Sequence, residues 1–163
     1  MKPVAPSGTF KIARSKDAIY VRVTGLGNMN NSVTFKEFAD RMRNEGYRSF
    51  VVDLGECRGV DSTFMGLLLG LREGLVVVNA TAHCRKQMES IGLHLCVKLA
   101  DEPMALPASL ELHELPPAEC DPNARMRLVM KAHQDLIAID KKNEERFGAF
   151  LRDLAKHLGN GKP

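Results

Sequence analysis

Asp61, Ser62 and Thr63 stand directly in front of FMGLLLGL, an apolar run dotted with glycines. An acid and two hydroxyls at the start of a helical segment suit two kinds of chemistry. Their oxygens can accept hydrogen bonds from the unpaired N–H groups of the first turn, a cap worth about 1 kcal/mol. Alternatively, a hydroxyl can receive a phosphoryl group, which brings about −1.5 to −2 charges and three acceptor oxygens to a helix end that favours anions. Ser62 is then the expected phosphoacceptor, Thr63 the second candidate, and Asp61, Ser62, Thr63 and Phe64 the surface that a partner meets. A phosphoryl group there is tolerated by the helix but repelled at a docked interface beside Asp61. That combination is what a reversible binding switch needs.

Other chemistries lack their residues. A hydrolase elbow, G-x-S-x-G, would need glycine where Val60 and Phe64 stand. Gly25-Leu26-Gly27 is no dinucleotide loop, because Asn30 replaces the third glycine. Asp53 and Glu56 could suggest an acid pair, but an aspartate at a strand end is ordinarily a loop hydrogen-bonder and nothing in the sequence fixes their separation. Catalysis is therefore not expected. The four cysteines, Cys57, Cys84, Cys96 and Cys120, contain no C-x-x-C pair. His83 beside Cys84 and His94 near Cys96 supply neither H-E-x-x-H nor paired close ligands, so neither a metal nor another cofactor is expected.

The elements that must position Ser62 follow from periodicity. Phe10 and Ile12, then Ile19, Val21 and Val23, alternate with polar residues around Ser15-Lys16-Asp17, a hairpin with one solvated face. Asn28 to Ser32 reads as a loop. Phe35, Phe38, Ala39 and Met42 then fall at helical spacing behind a capping box of Thr34 and Glu37, with Val33 and Phe38 placed as a hydrophobic staple. Phe50 to Leu54 and Leu75 to Val78 are β-branched runs expected of central parallel strands covered on both faces. Parallel neighbours need a helical crossover, which Ser62 to Glu73 is long enough to supply. A helix over Thr81 to Ile91 carries Cys84, Met88 and Ile91 on one face and ends at Gly92, and Leu95 to Leu99 makes the last strand. The sum is a β-β-α-β-α-β-α-β order over Phe10 to Leu99, an α/β sandwich with helices largely on one face. Ser62 then leaves the carboxyl end of a central strand, where such sheets present functional groups.

The last third differs. Asp101 to Pro122 holds five prolines and little periodicity, and reads as an extended connector laid over the domain or hanging from it. Asp121 then caps a helix with Pro122 in its first position, and Met126, Val129, Met130, His133, Leu136 and Ile137 form its apolar stripe. His133 reads as a half-buried core residue rather than a ligand. Beyond the Asp140-Lys141-Lys142 joint, Asn143 is placed to cap a second helix with the stripe Phe147, Phe150, Leu151, Leu154 and Leu158, stopped by Gly159. The expected division is residues 1–100, a connector over 101–121 and a helical hairpin over 122–163. Two helices of this length do not stabilise one another alone, so Phe147, Phe150, Leu151 and Leu154 are expected to pack on the domain or on a second copy.

Composition sets the outer bounds. The 163 residues, 44% hydrophobic and 26% charged, suit one soluble core with an appendage. A formal charge of +3 without a basic run or stacking motif gives no nucleic-acid footprint. The longest apolar run, Phe64 to Leu71, is far shorter than the roughly 18 residues of a spanning helix, so no membrane contact is expected. Prolines in MKPVAPSGTF interrupt any signal-peptide core, which points to a cytoplasmic protein with reduced, mostly buried thiols.

Three stretches, in this order, resemble a STAS domain, the fold of bacterial anti-sigma factor antagonists. TGLGN stands where that family turns from its second strand into its first helix. FVVDLGECRGVDSTFMGLLLG resembles its strand, loop and D-S-[ST] helix start, and LVVVNATAHCRKQMESIGL its next strand and helix with the closing G-L. The resemblance covers residues 1–100 and implies that Ser62, directly after the aspartate, is the phosphorylated serine. It further implies partner switching: the unmodified protein binds an anti-sigma factor that is also its serine kinase, phosphorylation ends that binding, and a PP2C-type phosphatase restores it. Two features depart from the pattern. Phe64 replaces a glycine or other small residue, and the segment from Gly66 to Leu75 is several residues short. AHQDLIAIDKKNEERFGAFLRDL resembles C-terminal extensions of some STAS proteins. The alternatives left open are a STAS scaffold or assembly subunit without phosphoregulation, and a small-molecule or nucleotide sensor using the same strand ends.

Overall fold

The computed structural model describes residues 7–119 and 121–160, without the side chains of 159 and 160. Strands β1 (Thr9–Arg14) and β2 (Ile19–Gly27) form the hairpin. Helix α1 (Met29–Asn44), strand β3 (Phe50–Val60), helix α2 (Ser62–Gly70), strand β4 (Leu75–Val78) and helix α3 (Ala82–Ser90) follow. A 3-10 turn at Leu93–Leu95 leads into β5 (Lys98–Leu99). Within the connector His113–Glu114 adds β6, and Pro122–Ile139 and Lys142–Asn160 form α4 and α5. The sheet order is β5-β4-β3-β2-β1-β6; β2 to β5 are parallel, while β1 and β6 run antiparallel to their neighbours. The expected mixed α/β order is thus present, with one strand added at the edge.

The side-chain alternation explains why the helices gather on one face. Ile19, Val21 and Val23 of β2 are buried while Tyr20 and Arg22 between them are half exposed. In β3, Phe50, Val52 and Leu54 turn inward, while on the other face Val51 is half exposed and Asp53 buried, so the second face is covered only in part. Val76 of β4 shares that half-exposed state. The core lies between the buried face and α1, α2 and α3, joined by Leu136 from α4 and Leu115 from the connector.

Several local readings are corrected. Asn28 to Ser32 is mostly helix rather than loop: Asn28 Oδ1 accepts from Asn30 N–H (3.0 Å), and Asn31 Oδ1 accepts from Asn28 N–H (3.0 Å). Asn31 Nδ2 also donates to the carbonyls of Gly8 (2.9 Å) and Leu26 (2.8 Å), which ties the start of α1 to the sheet. Polar composition here reflects a capping box. The proposed box at Thr34 and staple at Val33 and Phe38 lie inside the helix, and buried Thr34 instead accepts from Ala118 N–H (3.0 Å). Only Lys98 and Leu99 of the expected last strand pair, and Leu95 is 78% exposed.

The connector is laid over the body. Leu115 N–H donates to Phe10 O (2.8 Å), and Asn79 exchanges hydrogen bonds with the backbone of Met104 (2.7 and 2.8 Å). Helix α4 starts as expected, Asp121 accepting from Asn123 N–H (3.1 Å) before Pro122 at the first position. Asn143 does not cap α5. It is fully buried, and its Nδ2 donates to Ile91 O (3.0 Å) and Leu136 O (2.7 Å), pinning the hairpin to the end of α3. Gly159 does not stop α5, which continues to Asn160. Phe147 packs against the core, whereas Phe150 is 42% exposed and Leu151 and Leu154 are half buried.

Candidate functional site

The site is built where two helices begin. Strand β3 runs to Val60, paired with Gly27 at the end of β2, and Asp61 N–H donates to Gly27 O (2.9 Å). Gln87 of α3 accepts from Val60 N–H (2.9 Å) and steadies the strand end from the other side. Asp61 then serves both helices. Its Oδ1 accepts from Phe64 N–H (2.8 Å) as the N-cap of α2, and its Oδ2 accepts from Met29 N–H (2.8 Å) at the start of α1. One carboxylate therefore fills orphan donors at two positive helix ends.

Asp61, rather than Ser62, is the cap. Asp61→Ala is expected to lower unfolding stability by about 2–3 kcal/mol, because two charge-assisted hydrogen bonds go at once. Asp61→Asn keeps one acceptor oxygen and is expected to lose less. Urea midpoints of the three proteins check the order; an alanine variant as stable as the parent would mean that water replaces the carboxylate.

Released from capping, the Ser62 hydroxyl faces the C-terminal helices. Its Oγ lies 2.7 Å from His133 Nε2, across 71 residues of sequence. The other ring nitrogen, Nδ1, is 2.7 Å from Val129 O, one turn back in α4. A carbonyl only accepts, so Nδ1 carries the hydrogen, and in the neutral ring Nε2 accepts from Ser62 Oγ–H. His133 is 3% exposed rather than half buried, and the rings of Phe147 (4.9 Å) and Phe150 (5.0 Å) stand edge-on to it. Nothing in the stripe of α4 set this histidine apart from Val129 or Leu136; its partner was visible only once α4 was placed on α2. The closeness of that packing shows at Gly66, where a Cβ would stand 2.5 Å from the Cβ of Ala132.

The other expected site residues separate. Thr63 is 2% exposed and Phe64 fully buried, so both face inward, while Asp61 and Ser62 are half buried at the rim. Phe64 packs on Phe10 and Phe35, ring centroids 6.1 and 5.4 Å away. Asp53, 5% exposed, accepts from Gly55 N–H (2.9 Å) and Asn79 Nδ2 (3.1 Å) and pairs with Arg22 (3.3 Å), and so braces the middle of β3 beside the end of β4. Cys57 and Cys84 are free and buried; a hydrogen bond to Cys84, together with burial, pushes the Cys57 thiol well above its ordinary range. Cys96 is free but exposed, unlike the buried default, and Cys120 lies outside the described residues. Among the described residues no three of His, Cys, Asp and Glu gather as a metal site, and no helix is long and apolar enough to cross a membrane.

The geometry leaves a serine at the first turn of α2 whose hydrogen has a ready acceptor in His133. Among solved structures, a putative anti-sigma factor antagonist (tm1081) from Thermotoga maritima matches at a TM-score of 0.52 and 19% identity, over 57% of this chain and 86% of that one. The anti-sigma factor antagonist SpoIIAA in its unphosphorylated form matches at a TM-score of 0.44 and 18% identity, over 57% of this chain and 89% of that one. No family model and no curated protein matches the sequence. The likeness to tm1081 is one of fold, and the fold is of the STAS type.

Proposed function

We propose that this chain is a regulatory binding protein of the anti-sigma factor antagonist kind, acting through protein partners rather than catalysis, with Ser62 as the phosphoacceptor that controls binding. The observation that carries this reading is the place of Ser62. It stands in the first turn of α2 at the carboxyl end of a central parallel strand, half exposed, with its hydroxyl not consumed by capping. The fold shared with a protein described as a putative anti-sigma factor antagonist supports it.

In the proposed cycle the unmodified protein binds an anti-sigma factor that doubles as a serine kinase. The kinase directs Ser62 Oγ at the γ-phosphorus of a nucleoside triphosphate, the Oγ–P bond forms as the bond to the β-phosphate oxygen breaks, and the diphosphate leaves. The hydroxyl proton passes to the kinase's base. The product places a near-dianion beside Asp61, and repulsion ends binding. A PP2C-type phosphatase reverses the step.

Incubation with ATP and the source organism's serine kinases, followed by mass spectrometry of the Asp61 to Arg72 peptide, tests the reading. Phosphate is expected on Ser62, absent in Ser62→Ala and accompanied by loss of partner binding. A second reading, a scaffold in which Ser62 merely bridges to the C-terminal helices, is favoured by the 2.7 Å contact with His133. Absence of phosphate with every kinase would leave that reading in place.

A further inference from the structure

We propose that α4 and α5 are a built-in cover for Ser62. In the closed form His133 holds the serine hydroxyl; in an open form the two helices leave α2 and the hydroxyl becomes available for phosphorylation. The proposal names the regulation of the site and rests on the reading above only for the identity of the modification.

Three observations carry it. First, on the side facing α4 the imidazole holds the space beside Ser62 Oγ, with Nε2 2.7 Å from that oxygen. The half-exposed hydroxyl therefore meets α4 on the side to which its hydrogen points. Second, the cover is layered: Phe147 and Phe150 of α5 stand against His133 at 4.9 and 5.0 Å, so exposing Ser62 means moving both helices. Third, the seam is built unlike the core. A cleft of about 160 Å³, open to solvent and walled mostly by apolar atoms, runs between α1, α2 and α4, with exposed or half-exposed Lys36, Asp40, Arg43, Lys131 and Asp135 among its lining. At the far end, where Asn143 pins the hairpin, its Oδ1 is buried without a hydrogen-bond partner. A cleft between helices and an orphaned buried acceptor each contribute less than a close-packed, fully paired interface would.

Phosphorylation and closure oppose one another chemically. After transfer Ser62 Oγ carries no hydrogen, so the hydrogen bond it donates to Nε2 in the closed form cannot re-form. The equilibrium coupling between two such states is reciprocal: the open cover favours the phosphorylated serine, and the phosphorylated serine favours the open cover. Opening also exposes the hydroxyl to the kinase on the side that α4 covers.

Full-length protein with phosphoserine installed at position 62 during translation, compared with the unmodified protein by amide hydrogen exchange, decides the point. Exchange across residues 122–160 is expected to rise at least tenfold while β2 and β3 stay protected. Unchanged exchange, or slower exchange because a protonated His133 grips the phosphate, overturns the proposal. Gly66→Ala is an independent route. Its new methyl would meet the Cβ of Ala132 at 2.5 Å and its carbonyl oxygen at 2.6 Å, and so wedges α4 away without touching Ser62 or His133. Alanine also favours the helical state of α2. This variant is expected to show the same rise in exchange and at least a tenfold faster initial phosphorylation of Ser62; an equal rate overturns the cover. If no kinase modifies Ser62 in either protein, the proposed function fails, while the phosphoserine comparison still decides whether the helices and the modified serine exclude one another.

Discussion

Phe64→Ala is expected to lower the stability of the whole protein by about 3–5 kcal/mol, the cost of a fully buried aromatic truncated to a methyl. The ring has no exposed surface, stacks on Phe10 with an interplanar angle of 10° and leans on Phe35. It sits in the first turn of α2, three residues from the Asp61 cap, so its loss also loosens the helix end that holds Ser62. The space it fills exists because residue 27 is glycine: a Cβ there would lie 2.9 Å from the ring. Gly27→Ala should therefore destabilise the parent protein and cost much less in the Phe64→Ala background. A double-mutant cycle by urea denaturation is expected to give a coupling of about 1–3 kcal/mol. Additive effects would mean that the two positions do not share that space.

This pair also explains how Phe64 departs from a pattern of small residues without disturbing the fold. The bulk is turned inward and accommodated by Gly27, so it shapes the packing beneath Ser62 rather than the surface around it. A reading of one segment at a time sees Phe64 but not the glycine opposite, because the two meet only through the pairing of β2 with β3.

The same division runs through the molecule. Strongly periodic segments are legible: the hairpin, the first half of β3, β4, the helix starts at Ser62 and Thr81, and the Asp121-Pro122 start of α4 lie where their patterns put them, but β3 continues to Val60 where a loop is expected and α2 ends at Gly70 rather than Glu73. What failed depended on partners distant in sequence. Asn28 to Ser32 looked like a loop because its asparagines are polar, but they cap α1 and bind the backbone of Gly8 and Leu26. Asn143 was placed as a cap by its position before a helix, and is instead a buried pin to Ile91. Strand β6 spans two residues of a proline-rich stretch and exists because β1 offers an open edge. At the site, Asp61 and Ser62 were legible from their place before an apolar run. The division of capping and bridging between them was not, since it depends on Met29 N–H reaching the carboxylate and on His133 reaching the hydroxyl.

Deleting residues 121–163 is expected to lower the melting temperature by about 10 °C or more. Helix α4 places Leu128, Val129, Ala132 and Leu136 at 8%, 3%, 2% and 0% exposure, and each large apolar side chain so buried contributes about 1.5–3 kcal/mol before the ordering of the helices is counted. Ordering offsets much of this, so docking amounts to a few kcal/mol, which corresponds to a shift of that size in a domain of about 120 residues. Deleting only residues 141–163 removes α5 and the Asn143 pin but keeps α4 and His133, and the expected loss is smaller. Equal melting of the parent and the longer deletion would mean that α4 adds nothing to the body, and with it the cover over Ser62 would have no energetic basis. Sedimentation of the same proteins tests the contact between copies expected of Phe147, Phe150, Leu151 and Leu154. Phe147 is committed to the core and to His133, so a second copy would meet chiefly Phe150, 42% exposed, with half-buried Leu151 and Leu154. A parent mass of two chains that falls to one when α5 is removed would establish that contact; a parent mass of one chain assigns the stripe to the covering of His133.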